Sequence, residues 1–181
     1  MKPFSIKPLN SFQIIVLGFA GVILAGALLL MLPVSSATHC VTPFLSALFT
    51  STTSVCVTGL IVVDTGTYWS VFGQAVILVL IQIGGMGVVT VAAAVTIVSG
   101  RKIGLMQRST MQEAVAAPKM SGIVRLTGFI IRATILIELS GAALLAPVFC
   151  RDFGPVRGLW MALFHSISAF CNAGIDLMGI R

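Results

Sequence analysis

The sequence predicts an all-α membrane protein assembled from repeats of span, re-entrant loop and span, about one and a half of which are present. Three observations carry this reading. Hydrophobic residues make up 57% of the 181 and charged ones 9%, with a mean hydropathy of +1.09. A soluble domain carries about a quarter charged residues, and a chain of this length cannot hide so much apolar surface from water. Uncharged runs long enough to cross a bilayer alternate with shorter, more polar stretches. One of those stretches, residues 47–64, also recurs: a shift of 115 positions lays Ala47, Leu48, Phe49, Ser51, Cys56 and Gly59 on Ala162, Leu163, Phe164, Ser166, Cys171 and Gly174. Six identities in fourteen ungapped positions exceed chance, and internal repetition decides an architecture before any single element does.

Taken in order, Lys2 and Lys7 precede a charge-free run over residues 11–32. About 20 apolar residues cross a hydrocarbon core of roughly 30 Å, so this is a full span. Ser35-Ser36-Ala37 looks like a signal-peptidase site, but a signal's apolar region is only about 7–15 residues long. A retained helix stopped at Pro33 is the better reading. Residues 42–54 form a helix with Pro43 in its first turn; at about 20 Å it is too short to cross. Residues 55–63 are β-branched and glycine-punctuated, which ends a helix. The pair reads as a re-entrant half-helix with an extended return. Residues 71–99 are again long enough to cross, and Gln82-Ile83-Gly84-Gly85-Met86-Gly87 within them suits close packing or a bend, packing alone being the plainer expectation. Arg101, Lys102 and Arg108 end that span.

Thr110-Met111-Gln112-Glu113 has the form of a capping box, which predicts a short helix at the inner surface, broken near Pro118. A second span follows at 127–146, and Pro147 nearly matches Pro33 under the same shift. Residues 156–169 repeat the half-helix, and Cys171-Asn172-Ala173-Gly174-Ile175 repeats the return. The chain reaches Arg181 where a partner for the 71–99 span is due. The expected division is a first repeat over 1–100, a cytoplasmic linker over 101–122 and a half-built second repeat over 123–181.

Basic residues set the orientation. With the N-terminus cytoplasmic, Lys2, Lys7, Arg101, Lys102, Arg108, Lys119 and Arg125 lie inside, Arg151, Arg157 and Arg181 outside, and Arg132 within a span. Seven against three obeys the positive-inside bias, so both loops dip in from the outer face. The net charge of +6 punctuates apolar segments instead of forming a basic patch, which excludes nucleic acid as a partner. Cys40, Cys56, Cys150 and Cys171 lack metal or redox spacing and read as small buried fillers; nothing supports a disulfide between Cys40 and Cys150. The motifs of hydrolases, zinc proteases and phosphate loops are missing, so neither an enzyme nor a cofactor is expected.

The repeated loop has few side-chain ligands but consecutive carbonyls. Irregular backbone at membrane depth survives only against protein or a water-filled cavity. Gly59 permits angles that turn successive carbonyls toward one axis, where a ring of oxygens replaces the hydration shell of a monovalent cation. The negative C-terminal end of the half-helix favours the same ion. The loops are therefore pore loops of potassium-channel type. The candidate ion-binding residues are Val57, Thr58, Gly59 and Leu60 in one loop and Asn172, Ala173, Gly174 and Ile175 in the other. Backbone carbonyls are preferred over the side chains of Thr58 and Asn172. Asp64 and Asp176 follow the loops and read equally as outer-mouth charges that concentrate cations or as ordinary loop carboxylates. His165, the equivalent of Thr50, is expected to pack. Glu138 lies mid-span, where an ionisable group is functional by default. Arg132, about 240° around the helix, does not face it, and no partner for Glu138 is evident.

Thr53-Ser54-Val55-Cys56-Val57-Thr58-Gly59-Leu60, the 82–87 motif, Gly100-Arg101-Lys102-Ile103-Gly104-Leu105 and Ser168-Ala169-Phe170-Cys171-Asn172-Ala173-Gly174-Ile175-Asp176 resemble the Trk/Ktr potassium-uptake proteins of the Trk/Ktr/HKT superfamily. The resemblance implies four repeats around one pore with a filter glycine in each, here Gly59 and Gly174. It also implies a homodimer, a cytoplasmic nucleotide-binding regulatory subunit and a gate in a later repeat. Cys171 stands where many relatives carry asparagine. Potassium uptake across a bacterial inner membrane is the function expected. The rivals are a truncated non-conducting fragment or assembly module, and a pore with sodium as a principal ion. Serine in place of the first filter glycine is associated with sodium in plant relatives, so Gly59 argues for potassium.

Overall fold

A computed structural model describes residues 11–87, 90, 91, 110, 112 and 123–179. Helix α1, Ser11–Met31, is uncharged throughout. It gives way at Pro33 to the 3₁₀ turn Pro33–Ser35, where the Ser35 hydroxyl donates to the Leu29 carbonyl at 2.6 Å and so satisfies one of the carbonyls a helix end leaves open. Helix α2, Phe44–Val55, is the short one. Pro43 sits at its cap with extended ψ of 138°, one position outside the first turn expected for it, and supplies its carbonyl to Ala47 N at 3.0 Å.

A turn of helix at Thr65–Tyr68 (α3), which the sequence reading did not anticipate, is capped by Asp64. Helix α4, Val71–Met86, begins at Ser70, whose hydroxyl accepts from Gly73 N. It ends at Gly87, with φ of +81°. The 82–87 motif therefore interrupts the span as well as packing it, which corrects the expectation of packing alone. The rest of that span apart from Thr90 and Val91, the linker with its capping box apart from Thr110 and Gln112, and the terminal residues Lys2, Lys7 and Arg181 lie outside the described residues.

Helix α5 runs from Ile123 to Phe153 and carries Pro147 inside it. The expected span at 127–146 is thus longer, and Pro147 does not end it as Pro33 ends α1. A proline in a helix interior removes one backbone bond. Here the turn beyond it is held from outside: Phe149 stacks on His165 with centroids 4.9 Å apart, and the Arg157 guanidinium lies 5.6 Å from the Phe153 ring centre. Helix α6, Pro155–Phe170, starts with Pro155 at its first position, where the missing N–H costs nothing. Among the described residues there is no strand, only the bridge between Ser36 and Trp69 that ties the end of α1 to the start of α4. Helices α1 and α5 are long and apolar enough to cross a membrane, and most of each faces outward.

The repeat is visible in atomic contacts. Ser51 Oγ donates to Ile23 O at 2.7 Å, and Ser166 Oγ donates to Glu138 O at 2.6 Å. Both partner pairs are separated by the same 115 positions. Gly26 and Gly141 let each serine approach its span, since a Cβ on either would strike the hydroxyl. Between the two copies Ile77, Ile81, Phe164, Met161, Ala173 and Ile175 close a common core. The four cysteines are free.

Overfilling a tight helix contact costs typically 1–3 kcal/mol. Gly141→Val is therefore expected to lower the thermal midpoint of the detergent-solubilised protein by several degrees. Gly21→Val, at a position with nothing within 4 Å, should leave it unchanged. A fluorescence-detected melt of the two variants checks this.

Candidate ion-binding site

Both half-helices end in the same way. The cap residues Cys56 and Cys171 are still right-handed, with φ of −83° and −73°. The next residues, Val57 and Asn172, have φ of +55° and +58°, and then Gly59 and Gly174 have +75° and +65°. Left-handed backbone is uncommon outside glycine and an outlier for a β-branched residue such as Val57. Its recurrence at an equivalent place in both copies marks a constrained site rather than a local accident.

What holds the loops in that shape is a hydroxyl. Thr58 N donates to Thr53 O at 3.0 Å and Ala173 N to Ser168 O at 2.7 Å. Leu60 N then donates to Thr53 Oγ1 at 3.0 Å, and Ile175 N to Ser168 Oγ at 3.2 Å. These four loop amides are thus taken up by the half-helix the loop has just left. Among the described residues no donor reaches the carbonyls of Val57, Thr58, Gly59, Leu60, Asn172, Ala173 or Gly174. The Ile175 carbonyl differs, because Ser168 Oγ donates to it at 2.6 Å. In the second loop the side chains alternate: Asn172, Gly174 and Asp176 are exposed, and Ala173, Ile175 and Leu177 are buried in the core.

The two loops meet. A Cβ placed on Gly59 would lie 2.8 Å from Ala173 O and 3.5 Å from Gly174 Cα, and one on Gly174 would lie 3.7 Å from Gly59 Cα. The half-helix ends converge as well. Gly84 of α4 packs on the carbonyl of Val55, and the neighbouring Gly85 packs on Cys171, whose Cβ would be 2.8 Å from an added methyl. Consecutive Cα atoms are about 3.8 Å apart, so one short piece of α4 touches both C-terminal ends. Each end carries roughly half a negative charge from the helix dipole. Two such ends and a set of unclaimed carbonyls make a place for a cation, with no cluster of three or more metal-ligating side chains among the described residues.

Asp64 and Asp176 lie beyond the loops as turn carboxylates. Asp64 Oδ1 accepts from Thr67 N at 2.8 Å and Thr67 Oγ1 at 2.7 Å, and Asp176 Oδ1 accepts from Met178 N at 2.8 Å. Thr58 Oγ1 pairs with Thr53 Oγ1 at 2.6 Å. His165 packs: Nδ1 meets Met161 O at 2.7 Å and Nε2 accepts from Leu177 N at 3.3 Å. Two expectations need correcting. Cys40 and Cys56 are exposed and Cys150 and Cys171 half-buried, so none is a fully buried filler, although Cys171 packs against the core. Glu138, 5% exposed, has a partner after all, because Gln82 Nε2 donates to its Oε1 at 2.8 Å. The spacing around Glu138 does not point to Gln82, which belongs to the other repeat, 56 positions away. Thr53 and Ser168 were within reach of the sequence, since the same 115-position shift aligns these two hydroxyls.

Membrane-length helices, paired half-helices and facing glycine loops define an all-α membrane protein of repeated pore loops. The chain belongs to the TrkH family of cation transport proteins, whose family model matches residues 5–179. It is similar to the potassium/sodium uptake protein NtpJ of Enterococcus hirae, with 40% identity over 99% of this chain and 40% of that protein. It is also similar to the Ktr system potassium uptake protein B of Bacillus subtilis, with 44% identity over 91% of this chain and 37% of that protein. The protein of the same name in Vibrio alginolyticus is 38% identical over 91% and 36% respectively. The chain thus spans about two fifths of the length of these relatives. The resemblance carried by the loop motifs holds along nearly the whole chain, and the family is one of transporters, not enzymes.

An unpartnered buried amide costs about 1–3 kcal/mol. Ser168→Ala, which removes the acceptor of Ile175 N, is therefore expected to raise amide exchange in the second loop roughly 5- to 150-fold. Exchange measured by mass spectrometry on the peptide covering the loop checks it.

Proposed function

We propose that this chain supplies two loops of a pore for potassium uptake. Val57, Thr58, Gly59 and Leu60 on one side, and Asn172, Ala173, Gly174 and Ile175 on the other, present main-chain oxygens to a dehydrated ion. The observation that carries the reading is the facing pair of left-handed glycine loops with unclaimed carbonyls. Carbonyl oxygens stand in for the ion's hydration shell, and the half-helix ends lower the energy of a positive charge between them. Potassium is the substrate, and no cofactor takes part. The Ile175 carbonyl contributes with its second lone pair, the first being occupied by Ser168. Asp64 and Asp176, at the outer ends of the loops, add negative potential for an arriving cation.

The organisation that goes with this function is a first repeat over 1–100, a linker over 101–122 and a second repeat from 123 onward. The surrounding partners are lipid, a second copy of the pore subunit and a cytoplasmic nucleotide-binding regulator. The location is a bacterial inner membrane with the N-terminus in the cytoplasm, supported by the distribution of basic residues. The names of the relatives support potassium uptake, and that of the Enterococcus protein includes sodium. A serine at position 59 is therefore the informative substitution for ion choice.

The test is uptake in cells that lack their own potassium transporters, with the protein expressed from its own gene. Gly59→Val places branched carbons against Ala173 O at a φ of +75° and is expected to abolish potassium-dependent growth. Gly59→Ser is expected to lower the preference for potassium over sodium. Wild-type potassium uptake by Gly59→Val, at wild-type membrane content, would sink the reading.

A further inference from the structure

We infer that the hydrogen bond between Gln82 and Glu138 is a positioning clamp that sets ion selectivity by fixing the two glycine loops against each other. The inference rests on the pore reading above. Glu138 sits in the middle of α5, and its carboxylate accepts from Gln82 of α4 at 2.8 Å. The bond therefore joins the first repeat to the second.

Internal packing of the repeat does not call for the carboxylate. The first repeat has Ile23 at the equivalent position. What both residues share is the backbone carbonyl that receives the half-helix serine. The acid is thus peculiar to the seam, where a buried polar pair specifies register at some cost in stability. The seam is also where register counts. Gln82 lies within one helical turn of Gly84 and Gly85, on which the ends of both half-helices rest. A slide of α4 along α5 would carry Val55 with it and leave Cys171 behind, because α6 is tied to α5 through Ser166 and the Glu138 carbonyl. The loops beyond them touch with Ala173 O only 2.8 Å from a Gly59 Cβ position, so such a slide changes the spacing of the carbonyls that choose the ion. Neither Gln82 nor Glu138 lies in the loops, and Gln82 Oε1 is buried without a partner among the described residues. A glutamine at 138 can accept from Nε2 and donate to that orphan oxygen, so it is the conservative replacement.

The experiment compares Glu138→Gln, Glu138→Leu, Gln82→Met and the Glu138→Leu/Gln82→Met double variant in the same cells, reading rubidium and sodium uptake, half-saturation against maximal rate, and membrane content. Loss of an interhelical hydrogen bond in a membrane corresponds to roughly 3- to 15-fold. Glu138→Leu and Gln82→Met are expected to lose that much rubidium-over-sodium preference. The double variant should be no worse than the worse single, and Glu138→Gln should restore selectivity. A fall in membrane content or maximal rate with selectivity unmoved would make the pair merely structural and overturn the clamp. If Glu138→Leu does not accumulate, Gln82→Met decides alone, and unmoved selectivity there overturns it too. Gly59→Val runs beside them. Uptake that ignores Gly59 brings down the pore reading and the clamp together, whereas uptake that needs Gly59 but ignores Gln82 and Glu138 brings down the clamp only.

Discussion

In a membrane interior a loop's amide hydrogens have no water to meet, and here they are met by the helix the loop has just left. Thr53 and Ser168 each stand within the last turn of a half-helix and take the N–H of the residue just after the glycine. One hydroxyl thereby does two things. It satisfies a donor that would otherwise be stranded, and it forces the chain between to double back through left-handed angles at Val57 and Gly59, or at Asn172 and Gly174. With the amides of Thr58, Leu60, Ala173 and Ile175 committed on one side, the carbonyls are left for the other. The free oxygens are the geometric remainder of that tether.

Helix α4 decides how the two remainders meet. Its paired glycines admit the end of one half-helix at Gly84 and the end of the other at Gly85, and any side chain there would push the ends apart. Two helix C-termini so close would repel if nothing positive lay between them. Protein packing on the outside holds the negative ends together: Phe164, Ile175 and Ala173 on one side, Val55 and Ile81 on the other. The electrostatic cost is built into the fold, and a cation between the ends would relieve it.

Much of this was legible in the sequence, because repetition marks what composition cannot. The aligned Gly59 and Gly174 gave the loops, the short apolar runs gave the half-helices, and Pro33 gave the end of α1. Pro147 misled because proline ends a helix only when no packing beyond it offsets the lost bond, and the stacking of Phe149 on His165 lies in a different helix. Gln82 was hidden for a related reason: a helix wheel describes one helix, whereas Glu138 finds its partner on another. Thr53 and Ser168 align under the same shift, but a Thr–Ser match is a shared hydroxyl and not an identity.

Two of the places where the second copy departs from the first fall on its contact with the first copy or with the chain beyond the loop. Ile23 becomes Glu138, which reaches α4. Thr50 becomes His165, whose ring bonds backbone on both sides: Met161 O within α6 and Leu177 N after the loop. The pattern calls for the Nδ1–H tautomer, with Nε2 left as the acceptor. Leu177, so anchored, runs directly over Gly66, where its carbonyl would meet a Cβ at 2.5 Å. His165 thus sets the exit of the second loop against the turn that follows the first. Two identical copies could slide past one another by a turn with little change in apolar contact. Polar groups with fixed partners, Gln82 with Glu138 and His165 with Leu177, would oppose such a slide without placing a charge among the carbonyls.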